Sequence, residues 1–367
     1  MPVSSPYRVV ICDLRSDQLL DVLPVTGLSF DDYIGKTGTC SGTIEITDQR
    51  VAERVRLNFI PARTAIYIYR DRSIWWGGIL WTRTPSTDDR GFVKVAFQAS
   101  TFDSYFDHRR IFDTQTFVGE DQLDIVRGLL DYAQGQTGGD IGIVYDQLIS
   151  GIGRDRTYLN YDMGVVREQI DLLSNVDQGF EWRIRAYSSS NGDRVRNLQL
   201  GYPKIRVGST DIILSSPGEI TSYSLPEDGT TVANVWRSRG ASINQDAATD
   251  STPLVSNQYY YPADLDGGWP RLDGVSDYNT VSEIDTLNAH AIADIKRYRR
   301  SIVIPEITVL LGNGKISPAI LGASIKVRIK DIWYYDGTVQ RYRIIGVKIS
   351  PAERGKPETA SLYLERL

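Results

Sequence analysis

The clearest pattern of apolar and polar positions lies between residues 64 and 83. Residues 64–70 alternate with the period of two that a β-strand requires. Polar residues 71–73 follow, and residues 74–81 are almost wholly apolar, with the β-branched and aromatic side chains that favour strands. The pattern predicts a β-hairpin. Gly77 and Gly78 interrupt its second strand, which is typical of a bulge or of the close approach of another backbone.

Three tryptophans, Trp75, Trp76 and Trp81, give this hairpin a large apolar surface. One interpretation places them in the core of a β-barrel, since alternation directs either Trp75 or Trp76 inward. The alternative is that part of the hairpin faces another subunit. The three residues are therefore candidate interface residues.

The periodicity of the remaining chain divides it into three regions. Apolar and polar residues alternate in residues 1–100, which predicts an antiparallel β-barrel or sandwich. Residues 101–215 predict an α+β insert, with helical spacing at 119–134 and 162–176. Residues 216–367 predict a second strand-rich domain that contains a helix at 282–300. The predicted fold class is mainly β with an α+β insert, which permits two related barrels with strands shared between them.

Residues 241–280 form a long segment rich in Asp, Tyr, Pro and Gly. Such a segment inside a compact chain is predicted to be an irregular loop, and long loops are usually functional or mobile. Its aromatic residues are the other candidate interface residues: Tyr259, Tyr260, Tyr261 and Trp269. Buried packing and a sugar-binding platform are the alternatives. We expect the segment to become ordered on a neighbouring subunit or fibre.

The composition narrows the class of protein. Hydrophobic residues make up 41% of 367 residues, which is typical of a globular chain. A formal charge of −5 argues against nucleic-acid binding as the main function, although DNA can still pass through a channel. Two cysteines provide neither a disulfide scaffold nor a zinc site. The sequence has no signal-peptide pattern and no apolar run of about 20 residues, so we expect no membrane segment. We expect the chain to be made in a reducing cytoplasm.

Motifs for chemistry are missing. The sequence has no G-x-S-x-G and no H-E-x-x-H, and His108 and His290 are its only histidines. Residues 264–275 resemble a calcium loop, but Val275 stands where a bidentate glutamate is needed. We therefore expect no catalytic residue, no cofactor and no metal.

Several segments together resemble minor tail proteins of long-tailed phages, especially phages of actinobacterial hosts. The match depends on their order and joint occurrence, because no single motif carries a catalytic residue. The segments that carry the resemblance are residues 23–46, 62–83, 102–110, 130–143, 153–162, 176–184 and 326–351.

This resemblance implies a non-enzymatic hub of the baseplate or tail tip, located in the virion and made in the host cytoplasm. Such a hub is a homotrimer in which each chain carries two tail-tube-like β-barrels and an α/β domain. It closes the distal end of the tail tube and leaves a channel for genome passage. Its expected partners are the distal tail or tail-tube protein, the tape measure protein, and a tail fibre or receptor-binding protein, with DNA only in transit. The alternatives are a receptor-binding tail protein and a cell-wall hydrolase subunit.

Overall fold

The computed structural model describes residues 7–243, 252–299, 305–353 and 355–367. The chain divides into two compact units. Unit 1 consists of Met1–Asp171, Phe180–Ser224 and Pro305–Leu367, and unit 2 consists of Leu172–Gly179 and Leu225–Ile304. Strands predominate over helices in the described residues, so the predicted mainly β fold class is confirmed.

Twenty-two strands are present in the described part of the chain, and β15 to β18 are those of unit 2. The first seven are β1 (Tyr7–Asp13), β2 (Leu19–Leu23), β3 (Thr26–Tyr33), β4 (Thr39–Ile46), β5 (Thr64–Arg70), β6 (Ser73–Thr87) and β7 (Val93–Thr101). The next seven are β8 (Gln115–Asp121), β9 (Ile143–Tyr145), β10 (Gly153–Tyr158), β11 (Glu181–Ser188), β12 (Arg194–Gly201), β13 (Val207–Ser216) and β14 (Ile220–Ser224). The last eight are β15 (Val235–Ile243), β16 (Thr252–Val255), β17 (Tyr259–Tyr260), β18 (Asp273–Asp277), β19 (Glu306–Leu310), β20 (Ala323–Ile329), β21 (Thr338–Ser350) and β22 (Thr359–Arg366).

Five α-helices accompany these strands within the same described ranges. They are α1 (Gln49–Asn58), α2 (Gln122–Gly135), α3 (Val166–Ser174), α4 (Pro262–Asp266) and α5 (Ile284–Tyr298). The two helices predicted in the insert are present as α2 and α3. The periodicity is confirmed in α2, because its predicted apolar face is buried: Leu123, Val126, Leu130 and Ala133.

Thirteen strands of unit 1 form one sheet. Its order is β14-β19-β22-β21-β3-β4-β7-β6-β5-β1-β2, with β20 paired to β21 and β13 paired to β20. Seven of these strands, β1 to β7, come from the first third of the chain, and six come from β13 onward. No pairing among the described residues closes the sheet into a ring, so two separate closed barrels are not observed.

Strand β21 joins the two halves of this sheet. One part of it pairs with β20 and a later part, from Gly346 to Ile349, pairs with β3. Its other edge pairs with β22. A Cβ added at Gly346 would lie 2.4 Å from the Tyr33 ring, so the two halves can approach this closely only because position 346 has no side chain.

The predicted hairpin is formed by β5 and β6, which pair antiparallel around the turn at Asp71. Their inward side chains make a dry interior with β1, and Ile66, Tyr67, Ile68 and Ile79 are all 0% exposed. The free thiols of Cys12 and Cys40 are buried in the same half. This part of the sheet therefore has the buried core that the alternation predicted.

The α+β insert does not separate as a compact unit, because most of it belongs to unit 1. It contains the two-stranded sheet β10-β8 and the three-stranded sheet β11-β12-β9. Arg196 of β12 is 3% exposed and donates hydrogen bonds to the Tyr67 hydroxyl (2.7 Å), the Asp17 carboxylate (2.6 Å) and the Leu14 carbonyl (2.6 Å). These bonds fasten the insert to the first seven strands.

Unit 2 contains a four-stranded sheet around β15, which pairs antiparallel with β16 and β17 and parallel with β18. Its core is Ala233 and Trp236 packed against Ala291 and Ile295 of α5. Three of these strands and α4 lie within residues 252–277, which were predicted to be an irregular loop. That prediction is wrong for the described part of 241–280; residues 244–251 lie outside the described residues.

Candidate functional site

The three tryptophans of the hairpin have different environments. Trp76 is 1% exposed, and its indole Nε1 donates a hydrogen bond of 2.9 Å to the Asp31 carbonyl. Trp75 and Trp81 are half-buried. Trp76 therefore packs inside its own chain, and Trp75 and Trp81 are the two whose rings reach the surface.

Both half-buried tryptophans stand where the strand pairing shifts register. The β5–β6 pairing skips Trp75, and the β6–β7 pairing skips Trp81. The Trp81 Nε1 donates to Ser104 Oγ at 2.9 Å, and its ring lies 4.3 Å from that of His108. Bulges turn side chains away from regular alternation, which explains the partial exposure of both rings.

The paired glycines of β6 allow a close approach, as their position in the sequence predicted. A Cβ on Gly77 would lie 2.5 Å from the Ala186 Cβ of β11, and one on Gly78 would lie 2.1 Å from the Ser100 carbonyl oxygen. The insert strand β11 therefore packs directly on β6. One face of the tryptophan hairpin is occupied by the same chain.

The aromatic residues predicted in the 241–280 segment belong to unit 2 and divide into two groups. Tyr259 and Tyr261 pack against the core of unit 2. Tyr260 and Trp269 are exposed, at 58% and 54%. The interface function of these residues stays a prediction, and Tyr260 and Trp269 are the two with the most exposed side chains.

The residues considered for chemistry have structural partners. His108 lies against Trp81, and His290 is 2% exposed and stacks on the Tyr278 ring at 4.0 Å. Asp264, the first acid of the calcium-like loop, accepts a bidentate pair of hydrogen bonds from Arg299. Among the described residues, no group of three or more His, Cys, Asp or Glu is placed to hold a metal ion. Over the same ranges, no helix is long and apolar enough to cross a membrane.

A cluster of buried charges lies where β3, β11 and α3 meet in unit 1. Arg183 donates to Asp32 at 2.8 Å, and Arg167 bonds Asp103. Burial raises the pKa of Asp32 to about 6, against the effect of Arg183, and also raises the pKa of Asp171.

A shifted carboxyl can mark an active site, so the space around it matters. The cavity beside Asp32 and Asp103 has a volume of ≈ 10 Å³. This holds about one water molecule and excludes a sugar or a peptide. The cluster therefore has a structural role in unit 1, and it does not form the acidic cleft that a hydrolase would require.

Sequence reasoning missed an exposed apolar turn. Residues 216–367 were predicted to be strand-rich, and within them β20 ends at Ile329. The apolar residues beyond it lie in the turn, and Ile332, Trp333 and Tyr335 are 99%, 78% and 75% exposed. The available signal was Asp331, whose side chain accepts hydrogen bonds from the backbone and so ends the strand.

An open concavity was also missed. It lies on α2 and the neighbouring β8 and β9 and has a volume of ≈ 310 Å³. Phe117 and Tyr145 form apolar walls, and Glu120, Asp124 and Asp131 add carboxylates. No motif marks it, because its residues come from three separate elements.

Comparison with known proteins finds likeness in structure. No family model matches the sequence, and no curated protein has significant sequence similarity to it. Among solved structures, a tail protein from Neisseria meningitidis has a TM-score of 0.61 at 12% identity, with 98% of this chain and 96% of that chain covered.

Two further solved structures are similar over nearly their full length. The 43 kDa tail protein of prophage MuSo2 from Shewanella oneidensis has a TM-score of 0.59 at 10% identity, with 98% of each chain covered. A prophage tail protein from Listeria monocytogenes has a TM-score of 0.54 at 13% identity, with 98% of this chain and 95% of that chain covered. At such low identity these matches establish a shared fold.

Proposed function

We propose that this chain is a structural, non-enzymatic subunit of a phage tail tip, the hub that closes the distal end of the tail tube. The observation that carries the proposal is the likeness of fold to three tail proteins over 98% of the chain. Fold by itself does not fix function. The order of segments that resemble minor tail proteins is a second, independent argument from the sequence.

The hub is a homotrimer in the virion. Tail tubes in the resembled family are sixfold, and a trimer matches them when each chain presents two similar surfaces. The large sheet divides into seven and six strands joined by β21, and this division supports the proposal that each chain has two such surfaces. These halves take the place of the two barrels that the resemblance implied.

The remaining partners follow from this position. The distal tail or tail-tube protein binds one face of the ring, and the tape measure protein and the DNA pass through its axis. A fibre or receptor-binding protein binds its outer face. Tyr260 and Trp269 supply exposed aromatic surface for such a contact.

The test is a map of the tail tip from virions of a phage that encodes this chain. An antibody fragment raised against the full chain labels the tip, and free protein added as a competitor removes the label. We expect three copies in one ring below the tube. Six copies per ring, or label along the tube or at fibre ends, would contradict the hub.

A separate assay tests the non-enzymatic part of the proposal. The full chain is incubated with host cell wall, and released muropeptides are measured beside a known hydrolase. We expect no release above the buffer control. Reproducible turnover that a single Asp or Glu substitution abolishes would establish the hydrolase alternative.

A further inference from the structure

Residues 330–337 form the turn between β20 and β21, which we name the tip. It exposes three large apolar side chains within four residues, and Ile332 is 99% exposed. Single exposed apolar residues are ordinary, but a contiguous group on a protruding turn is typical of a contact surface. Tryptophan and tyrosine are also the residues that most often contribute strongly to protein interfaces.

The tip has a fixed shape. Asp331 Oδ1 accepts hydrogen bonds of 2.9 Å from the backbone nitrogens of Trp333 and Tyr334, and Asp331 Oδ2 accepts one from the Tyr223 hydroxyl. The Gly337 nitrogen closes the turn on the Tyr334 carbonyl at 2.9 Å. A turn held in this way loses little conformational entropy when it binds.

The base of the tip is positively charged. Arg328, near the end of β20, and Lys330, just after it, are both exposed. Neither makes an ion pair within the described ranges, whereas Lys326 and Arg341 behind them share Asp211. The surface that receives the tip should therefore combine apolar walls with a surplus of carboxylates.

The concavity of unit 1 has this composition. Its volume is ≈ 310 Å³. Small-molecule pockets begin at about 300 Å³, so the concavity has room for one large aromatic side chain. Its walls include Phe117 and Tyr145, and the Tyr145 hydroxyl is fixed on Asp131 at 2.8 Å.

Carboxylates outnumber cations in the concavity. Arg127 donates to Asp124, which leaves Glu120 and Asp131 without a cationic partner among the described residues. Beside it along the chain, Leu148 and Ile149 are exposed at 43% and 69% and extend the apolar surface. Charge, apolar lining and volume all complement the tip.

We propose that the tip of one copy of this chain binds in the concavity of the next copy. The two surfaces are different parts of unit 1, so the contact is heterologous, and three such contacts close a ring. The number of copies, three, rests on the proposed function. The contact places Trp333 between the aromatic walls, with Arg328 and Lys330 facing Glu120 and Asp131.

The test uses the full chain and two charge variants. The tip variant is Arg328→Glu with Lys330→Glu, and the concavity variant is Glu120→Lys with Asp131→Lys. We expect each alone to be monomeric in sedimentation at concentrations where the wild-type chain is trimeric. A chain that carries all four substitutions restores the charge pairing and the trimer.

Mixing the two variants gives a sharper result. Unlike chains meet with opposite charges at both kinds of contact, so the mixture should associate at concentrations where neither variant does so alone. A ring of three then contains one repulsive contact between like chains, so it should be less stable than the wild-type trimer. Trp333→Ala should weaken association about 30-fold or more, as expected for a strong interface residue. Circular dichroism and the melting temperature of each variant confirm that it remains folded.

Cross-linking provides a readout that does not require a stable trimer. Ile332→Cys and Gln147→Cys chains are mixed with a short bis-maleimide, since the native Cys12 and Cys40 are buried. A link between the two variants, and none between Ile332→Cys and an exposed Ser209→Cys chain, supports the contact. No preferred link to position 147 would overturn it.

Other outcomes separate this contact from the hub itself. Trimers that persist in both charge variants would overturn the contact and leave the proposed function standing. A wild-type chain that is never trimeric, in solution or in the tail map, would overturn both. Loss of co-sedimentation with anionic vesicles in Trp333→Ala, with the trimer unchanged, would assign the tip to a lipid surface and overturn the contact.

Discussion

At the residue scale, buried arginines join segments that are far apart in the sequence. Arg343 of β21 is 1% exposed and donates to Glu181 of β11, to Glu365 of β22 at 2.9 Å and to the Ile205 carbonyl at 2.9 Å. A guanidinium supplies five donors in a fixed plane, so one side chain can bridge three segments.

Replacing Arg343 should strongly destabilise unit 1. Arg343→Met removes the cationic partner of Glu181 and leaves Glu365 with Lys204, and we expect a loss on the order of 3 kcal/mol in the free energy of unfolding. Urea denaturation measures it, and Arg206→Met, at an exposed position, is the matched control with little change expected. Equal stability of the two variants would show that the buried pairs are dispensable.

Asp32 should give the stability of the protein a pH dependence of unusual sign. Its pKa is about 6 in the fold and 3.8 in the unfolded chain, so the folded chain retains the proton between these values. Its contribution to the free energy of unfolding therefore falls as the pH rises from about 4 to about 6. Two pKa units correspond to about 3 kcal/mol.

The measurement compares wild type with Asp32→Asn, because other carboxyls shift in the opposite direction. Denaturation is followed at several values between pH 4 and pH 7, with the exposed Asp89→Asn as control. We expect wild type to lose stability relative to Asp32→Asn across the window. A constant difference between them would mean that Asp32 ionises as an ordinary carboxyl.

At the element scale, the shared strand β21 depends on a glycine. Gly346→Ala places a Cβ 2.4 Å from the Tyr33 ring, so β3 or the ring must shift. We expect a loss of about 1–3 kcal/mol, as for other overpacked sites. Gly135→Ala, at the end of α2 with open space around it, is the control and should be neutral or slightly stabilising.

A spectroscopic change separates strain at this junction from a general loss of stability. The Tyr33 and Tyr363 rings lie 5.5 Å apart beside Gly346, so near-ultraviolet circular dichroism should change in Gly346→Ala but not in Gly135→Ala. An unchanged spectrum together with unchanged stability would show that β3 and β21 do not need this close approach.

Long, strongly periodic elements could be predicted from the sequence. The β5–β6 hairpin and helix α2 were predicted because their apolar positions repeat over at least two turns or pleats. The end of β20 is hard to predict because residues 332–335 continue the apolar run, whereas Asp331 accepts hydrogen bonds from the backbone nitrogens of Trp333 and Tyr334. Strands β16 and β17 have four and two residues, too few to show a period.

Candidate contact residues were harder to predict than elements. Aromatic composition drew attention to Trp76, which is buried, and to Tyr259, which is partly buried against the core of unit 2. Trp333 also lies in an aromatic stretch, and only the geometry of its turn shows that its side chain is exposed. The concavity combines residues from β8, α2 and β9, and such long-range assembly leaves no trace in local spacing.

At the scale of the whole molecule, strand pairing differs from the architecture that the resemblance implied. Two separate barrels would require each strand-rich third to pair within itself. Instead β21 pairs with β3 of the first third as well as with β20 and β22. The two halves are therefore joined through backbone hydrogen bonds of β21.

At a formal charge of −5 per chain, we expect the channel through the proposed trimer to be acidic or neutral. Three chains at −5 each carry about −15. DNA has one negative charge per ~1.7 Å of its axis, so a basic wall would retain it and slow ejection. The proposed contact also places Arg328 and Lys330 between subunits, away from the axis. A tail-tip map identifies the side chains on the wall, and a wall formed mainly by Lys and Arg would contradict this arrangement.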